Sequence, residues 1–96
     1  MPAELRVYEI ARGRMEEFTD LFNTEIVPAR EAAGFDVIGP WIRDAETEFV
    51  WIAGYNGPLT WDEAVQSYYD SPGRSAISKD PMSMIESVTT KILGSK

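Results

Sequence analysis

The strongest constraint on the fold is a run of residues, 48–55, that alternates as a β-strand yet is apolar on both faces. Successive side chains of a strand point to opposite sides of a sheet. One side of this run carries Phe49, Trp51, Ala53 and Tyr55, and the other carries Val50, Ile52 and Gly54. Monomeric soluble proteins rarely leave large apolar patches bare, so both faces of this strand need cover.

Three further strands are predicted, over 4–10, 35–43 and 84–93, from runs of strand-forming residues between breakers. The second of them contains Gly39-Pro40, which predicts a bulge or an irregular edge there. A short polar turn over 44–47 joins the second strand to the third as a hairpin.

A first amphipathic helix is predicted from Met15, because apolar residues recur at steps of three or four until Gly34 ends the pattern. Pro28 lies inside this pattern, and its ring clashes with the preceding helical turn. We therefore expect Pro28 to kink the helix or to divide it into 15–27 and 28–33.

A second helix begins at Thr60, because Thr60 and Glu63 have the spacing of a capping box. Residues 74–78 are expected to add a further helical turn. The element order is then β-α-β-β-α-β, which predicts an α+β, ferredoxin-like sandwich forming a single domain over residues 1–96.

Two helices can cover only one face of this sheet. Four strands of about six residues leave roughly 400 Å² bare on the other face. The simplest cover is a second copy of the chain, with two sheets packed face to face into a dimeric α/β barrel. A homodimer is therefore expected.

Composition excludes several classes of chemistry. The chain contains no cysteine and no histidine, which removes thiolate nucleophiles, disulfides and the commonest metal and haem ligand. No metal site and no bound cofactor are expected, and any catalysis has to rely on carboxylates, arginine, lysine, tyrosine or a cofactor. Haem is disfavoured without histidine, although a tyrosine can ligate its iron. The chain carries a net charge of −7 with scattered basic residues, so neither nucleic acid nor an anionic membrane is an expected partner. Without a signal peptide or a membrane span, a cytoplasmic location is expected.

The first strand supplies the best polar candidates, because Glu4, Arg6 and Tyr8 share one of its faces. Arg6 could bind a carboxylate, enolate or phenolate while Tyr8 donates a hydrogen bond or relays a proton. Alternatively, Arg6 forms an ion pair with Glu4 or another acid that satisfies the dimer interface.

Three aromatic residues are candidates for the apolar walls of a ligand site: Trp41, Trp51 and Tyr55. They could line a flat slot for an aromatic or polyketide-like ligand. The alternative is that they are ordinary core or dimer contacts. A register change at Gly39-Pro40 would exchange Trp41 for Ile42 on the cavity side.

Short motifs spread over nearly the whole chain resemble the NIPSNAP family of the dimeric α/β-barrel superfamily. They are residues 4–8, Gly13-Arg14-Met15, Pro28-Ala29-Arg30, Gly34 and residues 50–53, in that order. The resemblance implies a ferredoxin-like protomer and a dimer with a sheet-lined cavity. It implies no particular reaction, although the superfamily includes monooxygenases, isomerases, decarboxylases and haem-binding proteins.

Two functions of different classes remain open from the sequence. One is a small-molecule binding protein, with Arg6, Tyr8, Trp41, Trp51 and Tyr55 around a cavity, and with cofactor-free proton transfer or monooxygenase-type chemistry as its activity if it is an enzyme. The other is a dimerisation or interaction module without a ligand. A binding protein needs an internal void, whereas a pure module has a filled interior.

Overall fold

The protein folds into one four-stranded antiparallel sheet with helices packed on one of its faces. The computed structural model describes residues 2–43 and 47–94, so most of the turn predicted over 44–47 lies outside the described residues. The strands are β1 (Ala3–Ile10), β2 (Phe35–Arg43), β3 (Glu48–Tyr55) and β4 (Ile85–Leu93). Their spatial order is β2-β3-β1-β4, which confirms the α+β, ferredoxin-like fold.

The first helical stretch runs without a break through Pro28, contrary to the predicted division. It consists of α1 (Met15–Leu21), a π-helical turn (Phe22–Ile26) and α2 (Val27–Ala32). Pro28 has no amide hydrogen to donate to the preceding turn. The wider turn absorbs this defect, because the Val27 amide bonds to the Phe22 carbonyl, five residues back. Gly34 follows the helix with a φ of 93°, as the sequence predicts.

The second helical region begins with the predicted capping box at α3 (Trp61–Tyr69), where the Thr60 side chain accepts from the Glu63 amide. A short helix, α4 (Pro72–Ser75), lies earlier than the extra turn predicted over 74–78. A tight turn (Pro81–Met84) then leads into β4. In the part of the chain that the structure describes, no helix is long and apolar enough to cross a membrane.

A bulge in β2 decides which way its side chains point. Ile38 lies opposite Ile52, but the next paired residue is Trp41, opposite Val50, so Gly39 and Pro40 form the bulge. Ile38 and Trp41 consequently share one face of the sheet, although simple alternation would separate them.

The core lies between the helices and the aromatic side of β3. Its largest fully buried side chains are Trp51, Phe18, Phe22, Phe49 and Met84. The opposite face of the sheet has no helix on it among the described residues, and Ile38 and Trp41 are about half exposed there, at 48% and 50%.

Candidate functional site

A cavity of about 100 Å³ lies between the sheet and the helices that cover it. Arg6 and Tyr8 of β1 and Trp51 of β3 form its floor, and the helices contribute Arg30 and Tyr68. The cavity is therefore on the helix side of the sheet, within one chain, and not on the bare face.

Tyr8 is the centre of a hydrogen-bond network on this floor. Its hydroxyl oxygen accepts a bond from Arg6 Nε at 2.8 Å and another from the indole Nε1 of Trp51 at 3.0 Å. The three side chains meet because Arg6 lies opposite Trp51 in the sheet, two residues before Tyr8. Both lone pairs of the Tyr8 oxygen are engaged, and among the described residues nothing accepts its proton. The hydroxyl proton is therefore free to be donated to a molecule in the cavity.

Arg6 is held from its other side by a carboxylate. Its Nη1 donates to Glu4 Oε1 at 2.5 Å, and both side chains are only 14% exposed. Burial lowers the pKa of Arg6, but Tyr8 and the hydrogen bond to Glu4 raise it more, so the net shift is upward. The predicted Arg6–Glu4 ion pair is thus formed, on the cavity side of the sheet, and it compensates the charge of Arg6.

Arg30 is a functional candidate that the residue-by-residue interpretation of the sequence missed. Its side chain is buried, with 4% of the residue exposed, and its guanidinium Cζ lies 3.9 Å from the centre of the Tyr68 ring. The same carbon is 5.2 Å from the rings of Trp51 and Phe35. Arg30 Nε has no hydrogen-bond partner, and within the described residues no carboxylate forms an ion pair with this side chain.

The sequence does contain a signal for this burial. Phe22, Ile26 and Arg30 follow one another at steps of four, which places Arg30 on the buried stripe of the helix. No acidic residue lies one turn before Arg30 on this stripe to pair with it. An arginine in such a position indicates a role other than packing.

The cavity is cationic although the chain as a whole is acidic. Arg6, Arg30 and Arg74 line it, and none of its described lining residues is an aspartate or glutamate. Burial raises the pKa of Tyr68, and the nearby charges of Arg30 and Arg74 oppose this rise without cancelling it. The Tyr68 phenol is therefore neutral at physiological pH, and it does not compensate the arginines.

Two of the predicted site residues lie elsewhere. Trp41 points to the bare face of the sheet, because the bulge in β2 turns it outward; Ile42, opposite Phe49, takes the helix side. Tyr55 is buried on the helix side, but it packs on Phe35 with ring centres 5.3 Å apart, and its hydroxyl accepts from the Leu59 amide. Neither Trp41 nor Tyr55 lines the cavity, whereas Arg6, Tyr8 and Trp51 are brought together there.

The mouth of the cavity lies where the turn before β4 meets that strand. Met82, Val88 and Tyr69 line it and are exposed by 55%, 38% and 45%. Within the described residues, no group of three or more acidic side chains is placed to hold a metal ion. Among the described lining residues of the cavity, the polar donors are guanidinium groups, phenols and the Trp51 indole.

Comparison with solved structures identifies the fold. The chain is similar to an uncharacterized NIPSNAP domain protein from Burkholderia xenovorans, at 19% identity and a TM-score of 0.83, over 100% of this chain and 95% of the other. It is also similar to a NIPSNAP family protein from Agrobacterium tumefaciens, at 21% identity and a TM-score of 0.78, over 99% and 92% of the two chains.

A third similar structure is a candidate antibiotic biosynthesis monooxygenase from Nitrosomonas europaea, at 12% identity and a TM-score of 0.74, over 99% and 98% of the two chains. No family model and no curated protein sequence matches the chain. At identities this low, the structural similarity establishes only the fold, and the function has to be inferred from the site. The chain therefore has the ferredoxin-like fold of the NIPSNAP proteins, and the resemblance seen in its sequence is confirmed in three dimensions.

Proposed function

We propose that the protein binds a small, partly apolar molecule in the cavity between the sheet and the helices. The observation that carries this proposal is the Tyr8 hydroxyl, which accepts from Arg6 and Trp51 and keeps its proton free toward an aromatic void. A module without a ligand has no need of such a void, or of a polar group left without an acceptor at its floor.

The size of the cavity limits the ligand. Apolar cavities of about 150 Å³ in other proteins accept a benzene molecule, and pockets for drug-sized ligands measure about 300–1,000 Å³. The cavity measures about 100 Å³ and has an open mouth, so part of even a single-ring ligand would lie in the mouth. A multi-ring, polyketide-like molecule would have to extend past Met82 and Val88 into solvent.

The same geometry favours one chemistry, namely proton transfer to an enolate or phenolate ligand. The Tyr8 O–H bond would break as its proton moves to the ligand, and the electron pair would stay on the Tyr8 oxygen. The donors of Arg6 and Trp51, already bonded to that oxygen, would stabilise the phenolate formed. A proton from water would then restore Tyr8. The similarity to the Nitrosomonas europaea protein concerns the fold alone, so it is no argument for oxygen chemistry in this cavity.

A second copy of the chain is the partner that we propose for the bare face of the sheet. Ile38, Trp41 and Leu93 are exposed on that face by 48%, 50% and 40%. The cavity is on the opposite side, so dimerisation would leave its mouth open.

Nuclear magnetic resonance of the indole groups tests the binding proposal directly. Of the three tryptophans, Trp51 lies at the cavity, whereas Trp41 is on the bare face and Trp61 packs on Phe35. Titration with benzoate and with benzamide should shift the Trp51 indole signal saturably with at least one of these probes and leave the other two signals in place.

A pair of variants on β4 provides the control. Val88→Phe should block the cavity mouth and abolish the Trp51 shift, whereas Ile92→Phe, on the same face of the strand but outside the cavity, should retain it. The proposal is wrong if neither probe moves the Trp51 signal, or if both variants respond as the wild type does.

A further inference from the structure

The cavity holds more positive charge than its own residues compensate. Glu4 pairs with Arg6, and no other carboxylate of the described residues lies within ion-pair distance of a cavity arginine. Arg74 is near the mouth, with its Cζ 5.9 Å from the Tyr69 ring, where water can solvate it. Arg30 is the cavity arginine that is both buried and without a carboxylate.

Burying a guanidinium without a counter-ion is costly unless something else stabilises its charge. The faces of Tyr68, Trp51 and Phe35 supply part of this stabilisation through cation–π contacts. They act on the face of the guanidinium, however, and leave the in-plane Nε–H without an acceptor. An in-plane acceptor that reaches Arg30 from within the cavity would complete the site.

We propose that Arg30 is the receptor for a negatively charged group on the ligand, so that the cavity selects small single-ring anions, such as carboxylates or sulfonates, over neutral molecules of the same shape. This inference rests on the proposed binding function and adds the charge class of the ligand. It assigns anion binding to Arg30 and leaves Arg6, already paired with Glu4, to orient Tyr8.

The alternative is that Arg30 has only a structural role, as a cation clamped between aromatic rings of the sheet and of α3. The two roles predict different results on substitution by methionine, which has a similar length and no charge. If Arg30 is the anion receptor, the methionine variant loses the selectivity for anions but still folds, because an uncompensated buried charge has been removed. If Arg30 has only a structural role, the methionine variant loses stability and its selectivity is unchanged.

The test compares benzoate with benzamide at pH 7, where benzoate is ionised and benzamide is its neutral counterpart. Dissociation constants are measured for both from the Trp51 indole shift. The wild type should bind benzoate at least about tenfold more tightly than benzamide, as expected for a charge-assisted hydrogen bond in a buried site. In Arg30→Met the two constants should agree within about threefold, and in Arg30→Lys the preference for benzoate should persist at a reduced level.

Two measurements separate this inference from its alternatives. The first uses Arg12→Met, which removes an exposed charge in the loop after β1 and should keep the wild-type preference for benzoate. The second is urea denaturation, in which the midpoint of Arg30→Met should equal or exceed that of the wild type. Equal binding of the two probes by the wild type would overturn the Arg30 proposal and leave the binding function standing. Binding of neither probe would overturn both. If Arg30→Met does not fold, two other variants test the proposal. A preference for benzoate that persists in Arg30→Lys and is lost in Arg30→Gln would support Arg30 as the anion receptor.

Discussion

At the scale of single residues, the Tyr8 oxygen is the acceptor on which two buried donors depend. Tyr8→Phe removes that oxygen and leaves Arg6 Nε and Trp51 Nε1 without their protein acceptor in a largely buried site. An unsatisfied buried donor costs roughly 1–3 kcal/mol, so with two donors we expect the free energy of unfolding to fall by about 2–6 kcal/mol. Urea denaturation followed by tryptophan fluorescence measures this loss.

Tyr69→Phe is the matched control for the same chemical change. The Tyr69 side chain is 45% exposed, and its substitution should change the free energy of unfolding by less than about 0.5 kcal/mol. Equal effects of the two substitutions would show that the Tyr8 network contributes little to stability.

The residues that sequence reasoning placed correctly are those whose position follows from local alternation. Arg6 and Tyr8 lie on one regular strand, so a period of two was enough to put them on one face. Trp51 joins them through the pairing of β3 with β1, which the sequence left open. Trp41 follows a two-residue bulge, which reverses the alternation, and Arg30 takes its environment from Tyr68, far along the chain. The sequence did predict a bulge at Gly39-Pro40 and the exchange of Trp41 for Ile42 that it could bring. The surroundings of Arg30 depend on tertiary packing, which a local pattern cannot supply.

At the scale of elements, two carboxylates of the first helical stretch hold the segment that leads to the cavity mouth. Glu25 accepts from the Ser78 amide and hydroxyl at 2.7 and 2.6 Å, and Glu17 accepts from Lys79 Nζ at 2.8 Å. Hydrogen bonds from Arg14 and Lys79 lower the pKa of Glu17 to about 2, and the bonds from Ser78 also lower the pKa of Glu25. These contacts position the turn that carries Met82.

A depressed carboxyl pKa stabilises the folded state at pH values above the ordinary pKa, and this contribution disappears as the pH falls through the folded value. For Glu17 the loss should therefore occur between about pH 4.5 and pH 2. Carbon-13 NMR titration of the Glu17 carboxyl should give a midpoint of about 2 in the wild type. Lys79→Met should raise that midpoint, whereas Lys91→Met, which removes an equal charge from β4, should leave it in place. A wild-type midpoint near 4.5 would contradict the contacts described.

Element boundaries were largely predictable because strong local signals mark them. The limits of β2 and β3, the end of the first helical stretch at Gly34 and the capping box of α3 all match the sequence-based expectations. The exception is the break in the helix that was one of the two outcomes expected at Pro28. One wide turn accommodates the missing hydrogen bond, and its first and last residues, Phe22 and Ile26, are buried in the core.

At the scale of the whole molecule, the sheet separates two surfaces with different roles. The helix side encloses the cationic cavity, and the other side presents Leu5, Val7, Val50 and Ile52 beside the exposed Ile38 and Trp41. The sheet face itself covers roughly 400 Å², about half of what one partner contributes to a standard protein interface. Strand ends and loops would have to supply the remainder in a stable dimer.

Trp41 should be the most sensitive residue of this proposed interface. Trp41 is a half-exposed tryptophan on the bare face of the edge strand β2, and a glutamate in its place would bring a charge into the interface without a partner. We expect the wild type to be a dimer at micromolar concentration and Trp41→Glu to be a folded monomer, as measured by sedimentation velocity. Ile92→Glu, which places the same charge on the helix side of β4, should remain a dimer. A monomeric wild type would leave the bare face without its proposed partner, and monomers of both variants would contradict an interface confined to that face.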